Sequence, residues 1–216
     1  MKELSAKVLV LGDQGVGKTS MIVRYAQQVF NDNSTPTIGA AYFESFEEVG
    51  DRRLKLKIWD TAGQERFKSM IPMYYRNSKA ALIVFDITNS ASFLAAQKWA
   101  TELHQHIEEK LVLFVVGNKA DLSKARKVKQ SDANAYAEMI GGHFREVSAF
   151  SNEGIREMFM DLCVKLIHET LSDDAPNTAA RSNSWPRNGT VVESYHQTAE
   201  LRENGKLNLK CCNAFT

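Results

Sequence analysis

The chain has 216 residues with a formal net charge of +1, and 44% of its residues are hydrophobic. This length suits one domain with a tail or two small domains, and the apolar share is sufficient for a sizeable core. The small net charge argues against non-specific nucleic-acid binding as the main activity. The spacing of Cys163, Cys211 and Cys212 excludes a disulfide framework and a zinc site. The polar N-terminus and the lack of a long apolar run predict a cytosolic compartment.

The most informative segment is residues 12–19, which read Gly-Asp-Gln-Gly-Val-Gly-Lys-Thr. They match the phosphate-binding loop pattern of glycine, four residues, glycine, lysine and then Ser or Thr. The glycines let backbone N–H groups approach a polyphosphate closely, Lys18 can reach its β- and γ-oxygens, and Thr19 offers Mg²⁺ a hard oxygen ligand. A strand over 7–11 and a helix over 19–28 are predicted on either side, and the helix N-terminus favours anions.

The rest of the first 171 residues alternates between strand and helix patterns. The polar segment 31–39 predicts a loop, and strands over 42–49 and 54–59 are predicted to form a hairpin with one buried face. The later predicted elements are strands over 80–85, 111–116 and 144–147, and helices over 92–109, from a Ser131 cap to Gly141 and Gly142, and over 155–171. This order predicts a mainly parallel sheet with helices on both faces, which binds ligands at the carboxyl ends of its strands.

From about residue 172 the composition changes to Ser, Asn, Thr, Asp and Arg, and hydrophobic residues become sparse. We therefore predict a nucleotide-binding domain over 1–171 and a disordered tail over 172–216. A small second domain is the alternative, although this segment could scarcely bury a core.

Three further polar motifs follow predicted strands. Residues 59–65 read Trp-Asp-Thr-Ala-Gly-Gln-Glu, residues 118–121 read Asn-Lys-Ala-Asp, and residues 146–149 read Glu-Val-Ser-Ala. Each alone could be a cap, a turn or an ordinary loop. Their joint occurrence in this order, behind a phosphate loop, instead indicates a nucleotide site.

With these motifs the chain resembles the small GTPases of the Ras superfamily, and within it the Rab family, over about residues 4–171. Asp-Thr-Ala-Gly-Gln-Glu-Arg at 60–66, Tyr-Tyr-Arg at 74–76 and Phe-Asp-Ile-Thr at 85–88 are typical of Rabs. The resemblance implies the P-loop NTPase fold of small G proteins. That fold has a six-stranded, mostly parallel sheet with one antiparallel strand and helices on both faces.

Some segments resemble the early-endosome Rabs most. These are Thr-Ile-Gly-Ala-Ala at 37–41, Pro-Met-Tyr-Tyr at 72–75 and Asn-Lys-Ala-Asp-Leu at 118–122. The implied function is a GTP/GDP switch that recruits effectors to membranes in vesicle traffic, with endosomes as the expected location. The implied partners are an exchange factor, a GTPase-activating protein, a GDP-dissociation inhibitor and effector proteins.

The resemblance also implies how the base is bound. Asp121 would accept hydrogen bonds from guanine N1–H and the 2-amino group, a donor pair that adenine lacks, and so select GTP over ATP. Asn118 would bind N7, the backbone N–H of Ala149 would bind O6, and Lys119 and Phe30 would sandwich the ring. The full set expected at GTP or GDP is Gly12, Asp13, Gln14, Gly15, Val16, Gly17, Lys18, Thr19, Ser20, Phe30, Thr37, Gly63, Asn118, Lys119, Asp121, Ser148 and Ala149.

The cofactor implied beside the nucleotide is Mg²⁺. Thr19 and Thr37 would hold it directly, and Asp60 would hold it through water. The implied catalytic residues are Lys18 and Gln64, of which Gln64 would orient the attacking water.

The resemblance further implies how hydrolysis acts as a switch. Thr37 and the N–H of Gly63 would contact only the γ-phosphate end, so its loss would release both loops. Effectors would recognise the ordered loops through Tyr42, Trp59 and Tyr74, which match the Rab aromatic triad. Ordinary core packing is the alternative reading of these three side chains.

Four residues depart from the family pattern: Gln14, Asn33, Asn77 and Phe150. Gln14 is larger than the common occupants, so we expect it to crowd the γ-phosphate and Gln64 and to slow hydrolysis. Asn33 and Asn77 replace a common aromatic and a glycine, and Phe150 replaces the lysine of the Ser-Ala-Lys motif.

The chain ends in Lys-Cys-Cys-Asn-Ala-Phe-Thr. Cys211 and Cys212 resemble a double geranylgeranylation site, with a longer overhang than usual, because a single-cysteine prenylation box would need cysteine at Asn213. Two prenyl chains would anchor the protein stably to the cytosolic face of endomembranes. Two ordinary exposed thiols are the alternative.

Two other activities stay open at this point. A GTP-binding scaffold with little hydrolysis is favoured by Gln14 and opposed by the presence of Gln64. A P-loop metabolic kinase would leave the motif at 118–121 unexplained.

Overall fold

The computed structural model describes residues 2–31, 36–63, 72–107 and 110–173. Within them, one sheet has the strand order β2-β3-β1-β4-β5-β6. The strands are β1 (Lys2–Leu11), β2 (Ala40–Val49), β3 (Arg52–Thr61), β4 (Ala80–Asp86), β5 (Val112–Asn118) and β6 (His143–Glu146). Only the β2–β3 pairing is antiparallel among the pairings of this sheet, so the predicted fold class is confirmed.

Helices connect these strands. They are α1 (Lys18–Gln27), α2 (Pro72–Tyr75), α3 (Ser90–His106), α4 (Gln130–Met139) and α5 (Ile155–Asp173), and a 3₁₀ helix covers Ala120–Ala125. No helix in the described ranges is long and apolar enough to cross a membrane.

Boundaries of α3 and α4 differ from the sequence prediction. The helix α3 begins at Ser90, because the side chain of Asn89 accepts hydrogen bonds from two first-turn N–H groups. It ends at His106, since Ile107 is already extended (φ −119°, ψ 113°). Ser131 does not cap α4, which begins one residue earlier, after Lys129.

Aromatic contacts join the helices to both faces of the sheet. On one face, Tyr25 of α1 stacks on Phe159 of α5 with ring centroids 3.7 Å apart. On the other face, Phe85 of β4 contacts Phe93 of α3 at 4.9 Å, and Phe93 contacts Tyr136 of α4 at 5.7 Å. Every residue of β4 and β5 is buried, as expected for strands that are covered on both faces.

The parallel register brings the functional loops together. Val10 lies opposite Asp60, and Asp86 lies opposite Asn118. The strands β1, β3, β4, β5 and β6 therefore all end at one edge of the sheet. This edge is where a doubly wound sheet binds its ligand.

Candidate nucleotide-binding site

A cleft of about 530 Å³ lies at this edge of the sheet. Predicted site residues that line it are Gln14, Gly15, Gly17, Lys18, Thr19, Ser20, Phe30, Thr37, Gly63, Asn118, Lys119, Asp121 and Ala149. Pro36, Leu122 and Phe150 line it as well, although they were not among the predicted ligands. The predicted residues Gly12, Asp13, Val16 and Ser148 are not among those that line it. Gln64 lies outside the described residues, so the structure does not test its position.

The phosphate loop has a backbone that other residues could not adopt easily. Gly12, Gly15 and Gly17 have positive φ angles of 143°, 77° and 90°. A Cβ at Gly12 would lie 2.2 Å from the Val84 carbonyl oxygen, and a Cβ at Gly17 would lie 2.4 Å from Nδ2 of Asn118. The glycines therefore allow both the loop conformation and its close contact with neighbouring strands.

The ammonium group of Lys18 lies inside the phosphate loop. Its Nζ donates hydrogen bonds of 2.8 Å to the carbonyl oxygens of Gly12 and Asp13, and the residue is only 6% exposed. Burial lowers the pKa of Lys18 to about 8, while Asp60 and Asp13 act in the opposite direction. Neutral carbonyls accept the hydrogen bonds of this buried ammonium group. The oxygens of an anionic phosphate would compensate its charge better.

Thr19, Thr37 and Asp60 form a hydroxyl–carboxylate cluster beside the loop. The Thr19 Oγ1 donates to Asp60 Oδ2 at 2.5 Å, and the two threonine oxygens are 2.8 Å apart. Asp60 is fully buried, which raises its pKa, and its Oδ1 has no hydrogen-bond partner in the described structure. An unsatisfied carboxylate oxygen next to two hydroxyls fits the oxygen ligands that Mg²⁺ prefers.

Asp121 is oriented at the opposite end of the cleft. The hydroxyl of Ser148 donates to its Oδ1 at 2.5 Å and accepts a 3.0 Å hydrogen bond from the N–H of Ser151. Ser148 is fully buried and does not line the cleft. Its hydroxyl contacts the carboxylate of Asp121, and its place at the nucleotide stays a prediction.

Asn118 connects the phosphate loop to the loop after β6. Its Nδ2 donates to the Val16 carbonyl at 2.8 Å, and its Oδ1 accepts from the N–H of Ala149 at 3.2 Å. The residue is buried, so these bonds hold the two loops at a fixed distance. This bracing function was not part of the sequence prediction.

Lys119 is held by Asp86, which belongs to the Rab-like segment 85–88. Its Nζ forms an ion pair of 2.7 Å with Asp86 Oδ2, while Asp86 Oδ1 accepts hydrogen bonds from the N–H and hydroxyl of Thr88. Burial alone would raise the pKa of Asp86, but these partners together lower it. Lys119 also has a left-handed backbone, with φ 67°. Asp86 thus fixes the lysine beside the cleft.

The three aromatic residues proposed to meet effectors form one continuous surface. The ring centroids of Tyr42 and Trp59 are 5.3 Å apart, and those of Trp59 and Tyr74 are also 5.3 Å apart. Tyr42 is 44% exposed, and the other two rings are half-buried. Core packing therefore does not account for them.

The departures from the family pattern have different local settings. Asn77 has φ 60°, a conformation that asparagine tolerates better than most residues, so it can replace glycine there. Gln14 is exposed at the cleft, and Phe150 contacts Phe30 edge to face at 5.5 Å. Asn33, like Cys211, Cys212 and the tail from residue 174, lies outside the described residues.

Comparison with known proteins agrees with this geometry. The model of the Ras family matches residues 7–168. Ras-related protein Rab-21 of Homo sapiens is 41% identical over 211 residues, which are 97% of this chain and 92% of that protein. Ras-related protein RABF2b of Arabidopsis thaliana is 45% identical over 165 residues, covering 76% of this chain and 82% of its own. Rab-21 of Dictyostelium discoideum is 44% identical over 165 residues, which are 76% of this chain and 78% of that protein.

Proposed function

The chain belongs to the Ras family of small GTPases, in its Rab branch, and on that premise we propose that it is a switch controlling an endosomal step of vesicle traffic. As a member of this family it binds guanine nucleotide and hydrolyses GTP. The observation that carries the proposal is the meeting of the phosphate loop, Asp60, Asn118 and Asp121 around one cleft.

Base selection is assigned to Asp121. Its carboxylate would accept from guanine N1–H and the 2-amino group, and the Ser148 hydroxyl would keep it aligned. Asn118 would bind N7 and the Ala149 N–H would bind O6. Because the N–H of Ala149 donates to Asn118 at 3.2 Å, we expect this bond to loosen when the base enters.

The cation of the site is assigned to Thr19, Thr37 and Asp60. The two hydroxyls would hold Mg²⁺ directly and Asp60 would hold it through water, which would satisfy the Oδ1 that has no hydrogen-bond partner among the described residues. Bound there, the metal would neutralise negative charge on the phosphates. Lys18 adds a second positive charge from inside the phosphate loop.

Hydrolysis is expected to be slow without a partner. Gln64 would orient the attacking water, and the phosphate loop at 12–19 contains no arginine that could act in cis. In Ras, an arginine supplied by an activating protein raises the rate about 10⁵-fold. The exposed side chain of Gln14 at the cleft supports the hypothesis that it crowds the γ-phosphate and lowers the intrinsic rate further.

Gly63 is a suitable sensor of the γ-phosphate. A Cβ there would lie 2.5 Å from the backbone carbon of Asp13 and 2.5 Å from the Lys18 Nζ, so only glycine can approach the phosphate loop this closely. Loss of the γ-phosphate would release Gly63 and Thr37 together. Effectors would recognise the ordered state through the surface of Tyr42, Trp59 and Tyr74.

The proposed regulators are the kinds of protein that act on Rab-family GTPases. An exchange factor would load GTP, an activating protein would complete hydrolysis, and a GDP-dissociation inhibitor would extract the inactive form. Geranylgeranyl groups on Cys211 and Cys212 would anchor the switch to the cytosolic face of endosomal membranes. The metabolic-kinase alternative is not retained, because the Ras family model matches residues 7–168.

The experiment is competition of unlabelled GTP and ATP against a fluorescent guanine nucleotide, followed by single-turnover hydrolysis. We expect GTP to displace the probe at least 10⁴-fold better than ATP, because the wrong base leaves a buried polar group unpaired. Conversion of bound GTP to GDP would favour a switch, whereas bound GTP that persists would favour a scaffold with little hydrolysis. Equal displacement by ATP would contradict the proposal.

A further inference from the structure

Arg24, in the last turn of α1, connects two loops on the base side of the cleft. Its Nε donates to the carbonyl of Ala149 at 2.9 Å and its Nη2 to that of Phe150 at 3.0 Å. Its Nη1 donates to the carbonyl of Gln28 at 3.1 Å. The planar guanidinium thus joins the start of the segment leading to Phe30 with the loop after β6.

The same two loops also meet through aromatic rings. Phe30 and Phe150 line the cleft, and their rings pack edge to face with centroids 5.5 Å apart and an interplanar angle of 88°. The guanidinium carbon of Arg24 lies 5.6 Å from the centre of the Phe30 ring. A hydrogen bond of 3.2 Å from Asn152 to Gln28 adds a further link.

Phe150 has a function here that burial does not explain. It is 61% exposed, so its ring contributes little to the hydrophobic core. Its backbone carbonyl is held by Arg24, and its ring packs edge to face against Phe30. A lysine at this position could not present an aromatic ring to Phe30.

We propose that Arg24 and Phe150 are positioning residues that retain the bound nucleotide by holding Phe30 against the base. The proposal rests on the proposed function, because it assigns the base to this end of the cleft. For the base to leave, Phe30 must move away from Phe150, and the two loops held by Arg24 must separate. The strength of these contacts therefore sets the dissociation rate of the nucleotide. The association rate depends on them only weakly, because the nucleotide enters while the two loops are apart.

The test is stopped-flow measurement of the association and dissociation of a fluorescent GDP. Arg24→Lys keeps the charge but cannot hold three carbonyls in the same plane, so we expect dissociation to be about tenfold faster. Phe150→Leu should accelerate dissociation about threefold, and Phe150→Tyr should restore the parent rate because it retains the edge contact. Association rates should change by less than about twofold.

Matched controls are available on other surfaces of the chain. Arg156→Lys changes an exposed arginine of α5, and Phe46→Leu changes a half-exposed phenylalanine of β2; neither residue lines the cleft. Both variants should retain the parent rates. Melting temperatures recorded with bound GDP show whether a rate change accompanies general destabilisation.

Dissociation rates that stay at the parent value in both Arg24→Lys and Phe150→Leu would overturn the proposal. So would equal acceleration by Phe150→Leu and Phe150→Tyr, because the aromatic edge would then be irrelevant. Since Phe150 is 61% exposed, we expect its variants to fold and to remain informative even if Arg24→Lys folds poorly. A parent protein that fails to bind GDP would contradict the proposed function itself, which is a different outcome.

Discussion

The substitution Gly17→Ala tests how tightly the phosphate loop is fitted to its neighbours. Gly17 has φ 90°, and an added Cβ would lie 2.4 Å from the Nδ2 atom of Asn118. That amide is buried and donates to the carbonyl of Val16 at 2.8 Å. The new methyl group must therefore displace Asn118 and break the bond that braces the two loops.

The magnitude is obtained by comparison with Gly141→Ala. Gly141 also has a positive φ, 67°, but a Cβ there would meet no atom of the described residues within 4 Å. A left-handed backbone costs an alanine about 1–2 kcal/mol at either position. At Gly17, breaking the buried hydrogen bond of Asn118 adds about 1–3 kcal/mol. We thus expect the free energy of unfolding to fall by about 3 kcal/mol for Gly17→Ala and by about 1 kcal/mol for Gly141→Ala.

The assay is urea unfolding of the nucleotide-free protein, followed by GDP titration of each variant. Gly141→Ala should bind GDP like the parent, because this glycine lies after α4 and does not line the cleft. Gly17→Ala should bind GDP at least tenfold more weakly. If both variants lose equal stability, Asn118 yields without cost and the bracing argument is wrong.

Three other predictions concern turnover, base binding and membrane anchoring. Gln14→Gly should speed single-turnover GTP hydrolysis and Gln64→Leu should abolish it; an unchanged rate in Gln14→Gly would mean that this side chain points to solvent. Ser148→Ala removes the hydroxyl that orients the base-selecting carboxylate, so GDP affinity in a fluorescence titration should fall about tenfold, and an unchanged affinity would show that the carboxylate orients itself. Replacing Cys211 and Cys212 together by serine should release the protein from membranes in cell fractionation, and a double variant that still pellets would refute lipid anchoring.

The sheet and the location of the site could be predicted because their signals are local. Apolar alternation in 54–59 identified the buried face of β3, and the strand pattern placed the motifs at carboxyl ends. The phosphate loop is a contiguous pattern in which each residue type has its own chemical reason. Helix ends were less predictable: α3 begins at Ser90 rather than Ser92, because the capping side chain of Asn89 acts from outside the periodic segment.

Contacts between distant residues could not be predicted. Arg24 and Ala149 are 125 positions apart, and nothing in either local sequence indicates that they meet. The hydroxyl of Ser148 is buried against Asp121, a contact that the sequence did not predict, because the direction of a side chain depends on the tertiary structure. Phe150 was recognised as a departure, but its edge contact with Phe30 became visible only in three dimensions.

The central claim is that this cleft recognises guanine through the carboxylate of Asp121. The most direct measurement is the affinity of the parent and of Asp121→Asn for guanosine and xanthosine diphosphates by fluorescence competition. The amide of the variant offers a hydrogen-bond donor to the 2-oxo group of xanthine, so we predict that its preference shifts from guanine to xanthine while the parent prefers guanine. A variant that keeps the preference of the parent for guanine would contradict the claim.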